Sequence, residues 1–266
     1  MNAGPQGSAQ WTIDMPDTAM ILAAGLGMRM RPITETVPKP LVPVAGRPMI
    51  DYVLDSLHEA GVKKIVVNVH HLADQLVAHL EARAGSAIHI SDERAQLLES
   101  GGGIAKALPF LGPDPFFILN ADTFWLEQPG ADLHLQRLAA AWDPARMDML
   151  LTTAPMDRVV GYGGRGDFLL DEAGRISRYD GIAPDPCVNM GAAIADPAMF
   201  HDAPATTFSL NRCYDQAIGK GRLYGLAGKG LWLTIGTPDA IGEAEDAMQA
   251  FRAGAQPALS PPALSP

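Results

Sequence analysis

One loop near the start of the 266-residue chain carries the residue types best suited to chemistry. The segment from Leu22 to Thr34 reads Leu-Ala-Ala-Gly-Leu-Gly-Met-Arg-Met-Arg-Pro-Ile-Thr. Gly25 and Gly27 allow a tight bend whose backbone N–H groups can face phosphate oxygens. Residues 19–50 include four basic side chains and one acidic one, a local charge of +3 in a chain whose net charge is −10. The loop therefore predicts a binding site for a polyanion.

Two common phosphate-binding loops do not fit this segment. A Walker A loop requires Gly-Lys-Ser/Thr, which the chain lacks. A dinucleotide fingerprint requires a third small residue at the start of a helix, whereas Met30 occupies that position and Pro32 interrupts the helix. We therefore expect a loop that wraps its ligand, which argues against an oxidoreductase. Lys39, held between two prolines, follows the loop and is a second candidate for the anion site.

The pattern Leu-Ala-Ala-Gly-x-Gly-x-Arg-x-x-Pro-x-Thr, followed by Pro-Lys-Pro-Leu, resembles the signature of the sugar-1-phosphate nucleotidyltransferase family. The resemblance extends over about residues 19–250. It implies that the glycine loop covers a nucleoside triphosphate, and that Arg29 and Lys39 are catalytic residues that contact the phosphates. The nucleotide-binding residues that it implies in this loop are Leu22, Ala23, Ala24, Gly25 and Gly27.

A second glycine-rich stretch, Glu-Ser-Gly-Gly-Gly-Ile, begins at Glu99 and is predicted to head a helix. Glycines in series permit close approach of a flat ring to the backbone. In the family this position carries the nucleobase-recognition loop, so the resemblance implies that Glu99 and Gly102 bind the nucleotide. This form of the loop resembles the N-acetylmuramate 1-phosphate uridylyltransferase branch more than the guanylyltransferases, which favours UTP and N-acetylmuramate 1-phosphate as substrates.

Asp122 follows an apolar run, residues 116–120, at the carboxyl end of a predicted strand. A carboxylate there can hold Mg²⁺ against triphosphate oxygens, and the resemblance implies this role. Relatives with two metal-binding carboxylates read Trp-x-Asp-x-Gly-Thr where this chain has Trp-Leu-Thr-Ile-Gly-Thr, so Thr234 replaces the second aspartate. One carboxylate, phosphates and waters can still complete the Mg²⁺ octahedron. We expect a Mg²⁺ cofactor and leave one or two ions open.

The resemblance also implies a sugar-phosphate pocket in the second half of the chain. Asn189 and Gly191 form an Asn-x-Gly element that lines the sugar pocket in relatives, although a β-bulge is the alternative interpretation. Arg165 and Asp167, in Gly-Gly-Arg-Gly-Asp-Phe, are similar to a run in the muramate branch. Arg165 is there a candidate to meet the sugar phosphate or a carboxylate.

The elements that must position these residues alternate between strand and helix. Apolar runs predict strands at 19–23, 64–68, 88–91, 116–120 and 149–153. Helices are predicted at 49–60, 72–82, 132–142, 209–219 and 238–251. This alternation predicts an α/β fold with one doubly wound, mostly parallel, Rossmann-like sheet. A hairpin at 168–170 and 176–179 begins a small β-rich part that faces the substrate, and ligands should bind beyond the strands' carboxyl ends.

The ends of the chain and its overall composition set the remaining expectations. Residues 1–17 should be a loose extension, 18–254 the nucleotidyltransferase domain, and 255–266 a disordered tail rich in Pro, Ala and Ser. The net charge of −10 argues against nucleic acid and anionic membranes as partners. Without a signal peptide, an apolar run of membrane-spanning length or a disulfide framework, the protein is expected in the cytoplasm, with its oligomeric state open.

Three functions fit these observations. The first is a uridylyltransferase that joins a nucleoside triphosphate to an amino-sugar 1-phosphate by direct in-line attack. The second is a guanylyl- or other nucleotidyltransferase that acts on a hexose or heptose 1-phosphate. The third is a catalytically silent sensor of nucleotide or nucleotide-sugar, and its support in the sequence is Thr234.

Overall fold

The fold is built on a mixed sheet of nine strands with helices packed against it. The computed structural model describes residues 15–83, 87–203 and 206–254, so most of the predicted N-terminal extension and the whole predicted tail lie outside the described residues. The strands are β1 (Thr18–Leu22), β2 (Pro43–Val44), β3 (Arg47–Pro48), β4 (Lys64–Val69), β5 (Ala87–Asp92), β6 (Phe116–Asn120), β7 (Thr123–Leu126), β8 (Met149–Pro155), β9 (Val159–Val160), β10 (Phe168–Leu170), β11 (Ile176–Arg178), β12 (Cys187–Ala195), β13 (Leu223–Ala227) and β14 (Leu231–Thr234). The helices are α1 (Met49–Glu59), α2 (Ala73–Glu81), α3 (Glu99–Leu111), α4 (His134–Ala141), α5 (Asn211–Gly219) and α6 (Asp239–Arg252).

The centre of the sheet is parallel. Strands β6, β1, β4 and β5 lie side by side in that order, and each neighbouring pair is parallel. Strand β12 then pairs with β6 in the antiparallel sense and leads to β10, β11, β8 and β13. The predicted α/β class and Rossmann-like sheet are confirmed. The parallel core brings the carboxyl ends of β4, β1 and β6 to one edge, where ligands of such folds bind.

Apolar spacing explains the helices that were predicted. On α1 the residues Ile50, Val53 and Leu57 are fully buried, which places one face of the helix on the sheet. The chain then leaves the helix at Gly61, whose φ of +88° is in the left-handed region that favours glycine. The predicted helix and strand positions agree with the structure to within about two residues at each end.

The β-rich part is larger than the predicted hairpin. The hairpin itself is present as β10 and β11. A separate three-stranded sheet joins β7, β14 and β9, and pairs Thr234 directly with Thr123. Strand β12 carries an irregular register against β8 between Asn189 and Ala193, as expected of the β-bulge interpretation.

The start of the described chain is packed against the domain. Met15 packs on the apolar core, and the Asp17 carbonyl accepts hydrogen bonds from the N–H groups of Lys63 (2.8 Å) and Lys64 (3.1 Å). Residues 15–17 of the predicted loose extension therefore belong to the packed structure. Within the described ranges, no helix has both the length and the apolar character needed to cross a bilayer.

Candidate active site

A cavity of about 630 Å³ opens at the carboxyl ends of β1, β4 and β6. This is the edge at which the sequence predicted ligand binding. The cavity is lined by seven of the predicted site residues, contributed by segments far apart in the chain. These residues are Leu22, Ala23, Ala24, Gly25, Lys39, Glu99 and Asp122.

Lys39 and Asp122 meet at this cavity. The Lys39 ammonium forms an ion pair with the Asp122 carboxylate, and the two side chains are 13% and 30% exposed. Lys39 begins a short 3₁₀ turn, Lys39–Leu41, and the preceding Pro38 is extended, so the lysine leaves the backbone at a fixed point. The structure thus joins the predicted cation to the predicted metal ligand, 83 residues apart in sequence.

The two loop glycines differ in what they do. No atom of the described residues lies within 4 Å of the place where a Cβ of Gly25 would be, so its backbone is open towards the cavity that it lines. Gly27 has a φ of +62°, and a Cβ there would lie 2.8 Å from Cγ2 of Thr34. The Thr34 hydroxyl donates a hydrogen bond of 2.8 Å to the Gly27 carbonyl. Gly27 therefore shapes the turn from outside the cavity wall, whereas Gly25 can approach a ligand.

The second glycine stretch is packed more tightly than the sequence suggested. Glu99 lines the cavity, is exposed, and has a φ of +60°, a conformation that non-glycine residues rarely adopt outside functional sites. Gly102 is buried and does not line the cavity, because its N–H donates to the Phe208 carbonyl at 3.1 Å. Protein atoms already occupy the space beside Gly101, Gly102 and Gly103. The predicted contact of Gly102 with the nucleotide is thus not supported by its position.

Arg29 is the predicted catalytic residue that the structure places elsewhere. Its guanidinium lies against Gly236, whose missing Cβ would be 3.4 Å from both terminal nitrogens. It lines a second cavity of about 640 Å³ together with Tyr162 and Thr237. Within the described part of the chain, the Arg29 side chain has no hydrogen bond or ion pair. Arg29 and Lys39 therefore line different cavities.

Three of the four predicted sugar-phosphate residues, Asp167, Asn189 and Gly191, belong to one hydrogen-bonded group. Asp167 accepts one hydrogen bond from the Tyr162 hydroxyl (3.0 Å) and one from the Asn189 N–H (2.9 Å). Burial, with the Asp167 charge next in importance, raises the pKa of Tyr162 to about 12, so the phenol remains a donor. The Asn189 side chain accepts from the Gly191 N–H at 2.9 Å.

Gly191 connects this group to the cavity. Its φ is +66°, and a Cβ there would lie 2.8 Å from Nδ2 of Asn120, a residue of the cavity wall. Arg165, by contrast, is exposed, and its side chain contacts no partner among the described residues. The Asn-x-Gly element therefore abuts the cavity, while Arg165 is free to reach a ligand from outside.

Several lining residues were not predicted. Asn68 and Asn120 lie at the ends of β4 and β6, on either side of β1, and Ser100 and Ser209 complete the polar wall. Asn68 accepts a hydrogen bond of 2.7 Å from the Ala23 N–H. The sequence could have indicated the two asparagines, because each closes a buried apolar strand. In a parallel sheet such strand ends meet at the shared ligand-binding edge.

The donor set around Asp122 fits Mg²⁺ held largely by a substrate. Among the described residues no group of three or more His, Cys, Asp or Glu side chains could hold a metal ion. Thr123 donates to Asp122 at 3.3 Å and lies 3.4 Å from the Thr234 hydroxyl, so Thr234 is connected to Asp122 through a second hydroxyl. A single carboxylate is compatible with Mg²⁺, which keeps waters and binds phosphates.

This fold and cavity define a nucleotide-binding α/β protein. A family model described as the MobA-like NTP transferase domain matches residues 19–205, and the chain belongs to that family of nucleotidyltransferases. The N-acetylmuramate alpha-1-phosphate uridylyltransferase of Caulobacter vibrioides is 44% identical over 229 residues, which cover 85% of this chain and 94% of that protein. The protein of the same name from Neisseria meningitidis is 34% identical, over 85% of this chain and 96% of its own length.

Solved structures share the fold at low sequence identity. The inositol-1-phosphate CTP transferase from T. maritima superposes with a TM-score of 0.73 at 18% identity, covering 91% of this chain and 98% of that one. UDP-glucose pyrophosphorylase complexed with UDP-glucose gives a TM-score of 0.70 at 19% identity, covering 87% and 98%. The chain therefore shares the fold of these structures over most of its length.

Proposed function

We propose that this nucleotidyltransferase moves a uridylyl group from UTP to N-acetylmuramate 1-phosphate, with Mg²⁺ as cofactor, and releases pyrophosphate. The observation that carries the proposal is the Lys39–Asp122 pair at a cavity walled by the glycine loop. The choice of substrates rests on the two uridylyltransferases to which the chain is 44% and 34% identical. The cytoplasm, where nucleoside triphosphates are available, is the proposed site of the reaction.

The reaction requires no covalent enzyme intermediate. A phosphate oxygen of the sugar 1-phosphate attacks the α-phosphorus of the triphosphate and forms a new P–O bond. The bond from the α-phosphorus to the bridging oxygen breaks, and pyrophosphate leaves with the electron pair. The protein's task is to hold two polyanions in line and to offset their repulsion.

The positive charge of Lys39 can offset part of the repulsion between the two substrates. Two like unit charges about 4 Å apart repel by about 4 kcal/mol at an effective dielectric near 20. The Lys39 ammonium is only 13% exposed, so water screens it less than a surface lysine. It can therefore stabilise charge that develops on the α-phosphoryl oxygens. Arg29 receives no role in this conformation, because it lines the second cavity.

Asp122 is the residue proposed to hold Mg²⁺, with Thr234 connected to it through Thr123. When bound, the ion would neutralise triphosphate charge and polarise phosphoryl oxygens. Asn189 and Gly191 are proposed to form the sugar-phosphate wall beside Asn120. Glu99 and Ser100 are proposed to face the base.

Pyrophosphate release tests the proposal directly. The four ribonucleoside triphosphates are each combined with a panel of sugar 1-phosphates, with Mg²⁺ and with a chelator in its place. We expect release with UTP and N-acetylmuramate 1-phosphate, and its loss on chelation. Release with another pair, such as GTP and a hexose 1-phosphate, would keep the enzyme class and overturn the substrates. Nucleotide binding without release across the panel would favour the sensor and contradict the proposal.

A further inference from the structure

A carboxylate without solvent access lies behind the wall of the cavity. Glu93 follows β5 and is 0% exposed. Its backbone is held on both sides, because its N–H donates to the Val69 carbonyl at 2.8 Å and its carbonyl lies 2.7 Å from Nδ1 of His70. A buried carboxylate is costly unless hydrogen-bond donors surround it. Its side-chain partners therefore indicate why the fold retains it.

The first partner is the amide of Asn68. Nδ2 of Asn68 donates to Oε1 of Glu93 at 2.7 Å, and Oδ1 accepts from the Ala23 N–H at 2.7 Å. A carboxylate can only accept, so the amide nitrogen must face Glu93 and the amide oxygen must face Ala23. Glu93 thereby sets the orientation of Asn68, which is 2% exposed and lines the cavity.

The second partner, Leu98, lies between two residues that line the cavity, Leu97 and Glu99. Oε2 of Glu93 accepts from the Leu98 N–H at 3.1 Å. Leu98 immediately precedes Glu99, the residue with a φ of +60°, a conformation that persists only where the surroundings hold it. One carboxylate is therefore hydrogen-bonded to both sides of the cavity: through Asn68 to the glycine loop, and directly to the 97–100 segment.

Close packing leaves this arrangement little freedom. A Cβ on Gly103, in the first turns of α3, would lie 2.7 Å from both Oε1 of Glu93 and Nδ2 of Asn68. The helix backbone thus covers the carboxylate–amide pair, and neither group can turn away into free space. A change in the hydrogen-bonding pattern of Glu93 must shift one of the two walls.

We propose that Glu93 is a positioning residue that holds the glycine loop and the 97–100 segment at the separation needed for nucleotide binding and base selection. The inference rests on the proposed function, since it takes the cavity as the nucleoside triphosphate site. Glu93 touches no substrate. It acts through Asn68 and Leu98, whose hydrogen bonds decide where Ala23 and Glu99 face the ligand.

The test is binding of UTP, CTP, GTP and ATP, each with Mg²⁺ and without sugar phosphate, measured by calorimetry. Glu93→Gln replaces one acceptor oxygen with an NH₂ donor, which then faces either the Asn68 NH₂ or the Leu98 N–H. We expect the Kd for UTP to rise about tenfold and the preference for UTP over GTP to fall about fivefold, as for loss of one hydrogen bond to a charged group.

A second substitution should restore the pattern. In the double variant Glu93→Gln with Asn68→Asp, the glutamine NH₂ can donate to one aspartate oxygen, while Ala23 donates to the other and Leu98 donates to the glutamine carbonyl. All three hydrogen bonds are regained and the total charge is unchanged. The charge moved to position 68 acts alike on all four triphosphates, so it cancels in the base preference. We expect that preference to return to within about twofold of the wild-type value.

Asp51→Asn is the matched control for the loss of a buried carboxylate. Asp51, on α1, is 8% exposed, is hydrogen-bonded to His79 (2.8 Å) and is ion-paired with Arg83 (2.7 Å), and none of the three lines the cavity. The Asp51→Asn substitution should lower the unfolding midpoint and leave the preference for UTP over GTP unchanged. A merely structural Glu93 would behave in the same way.

The outcomes separate the two proposals. Wild-type protein that binds none of the four triphosphates overturns the proposed function and this inference with it. Wild-type protein that prefers UTP, together with a folded Glu93→Gln variant of unchanged Kd and preference, overturns the role of Glu93 alone. If Glu93→Gln does not fold, Glu93→Asp decides instead. The Glu93→Asp variant keeps the charge but shortens the side chain by one methylene. Its preference for UTP over GTP should therefore also fall.

Discussion

At the residue scale, Lys39 is the side chain on which the proposed chemistry depends most. Lys39→Ala should lower kcat about 10²–10³-fold, because it removes one electrostatic donor from a partly buried site. The unfolding midpoint should fall modestly, because Asp122 loses its partner but is 30% exposed and can be solvated in part by water. Steady-state pyrophosphate release measures kcat, and thermal unfolding followed by circular dichroism measures the midpoint.

Lys63→Ala is the appropriate control for that substitution. Lys63 is 79% exposed and lies 3.8 Å from Asp17, so its loss should leave kcat unchanged. Near-normal turnover by Lys39→Ala would remove Lys39 from the chemistry, whatever the reaction proves to be.

The sequence was informative about residues whose function depends on their place at a strand end. Lys39 and Asp122 could be assigned to one site because the family resemblance gives both a role at the phosphates, and Asp122 also closes a predicted strand of a parallel sheet; the two side chains do meet. Glu93 could not be found in that way. Its importance depends on being 0% exposed behind Asn68, and one acidic residue within Asp-Glu-Arg gives no periodic sign of burial. The position of Arg29 beside Gly236 likewise depends on packing between distant segments.

At the element scale, the first turns of α3 show how packing replaces helix propensity. Three glycines and Pro109 make this 13-residue helix a poor one by propensity. The helix is held by its surroundings, because the Phe208 carbonyl accepts from the N–H groups of Gly101 (3.0 Å) and Gly102 (3.1 Å). A glycine is needed wherever a neighbouring group already fills the space of a Cβ.

Gly101→Ala should therefore destabilise the protein. The new Cβ would lie 2.3 Å from Cε2 of Phe208, a ring that is 8% exposed and has little room to move. We expect the free energy of unfolding to fall by about 1–3 kcal/mol, as for overpacking of a core. Urea denaturation at 25 °C, read by circular dichroism, measures the change.

Gly242→Ala supplies a control of opposite sign. Gly242 lies in α6 and is exposed, and in the described part of the chain no atom comes within 4 Å of its missing Cβ. The substitution should raise the free energy of unfolding by about 0.5–1 kcal/mol through helix propensity alone. A gain of the same size from Gly101→Ala would show that the Phe208 ring yields easily, and that the packing argument fails.

Elements with regular apolar patterns were predictable, and those held by tertiary contacts were not. Strands β1, β4 and β6 were predicted because each is a short, buried apolar run. Strand β12 was missed, since Cys-Val-Asn-Met-Gly-Ala-Ala-Ile-Ala contains small residues of low strand propensity and a left-handed glycine. It exists because both of its edges pair, with β6 on one side and β8 on the other.

At the scale of the whole molecule, a buried histidine links folding to pH. His134 begins α4, is 0% exposed, and its Nε2 lies 2.8 Å from the Thr152 hydroxyl. Burial, with the Arg137 charge second, lowers the pKa of His134 from 6.5 to about 4. The folded protein therefore keeps this imidazole neutral in a range where the unfolded chain binds a proton.

The sign of the resulting pH dependence follows from proton binding. Between pH 6.5 and pH 4 the unfolded chain takes up a proton at His134 that the folded protein does not, so stability falls as the pH is lowered through this window. A shift of this size corresponds to at most about 3 kcal/mol. Burial by itself would raise the pKa of Asp55, but the hydrogen bonds and charges of Arg47 and Arg83 together lower it, so the contribution of Asp55 to stability is lost only below its ordinary value of 3.8.

His134→Gln should flatten the loss of stability between pH 6.5 and pH 4, because glutamine does not titrate and can still hydrogen-bond Thr152. Urea unfolding of both proteins at half-unit pH steps gives the difference in free energy at each pH. All other titrating groups are common to the two proteins and cancel in that difference. We expect the wild-type protein to lose about 2–3 kcal/mol more than the variant across the window. Parallel curves would mean that His134 takes up its proton in the folded protein too, at Nδ1, which has no hydrogen-bond partner among the described residues.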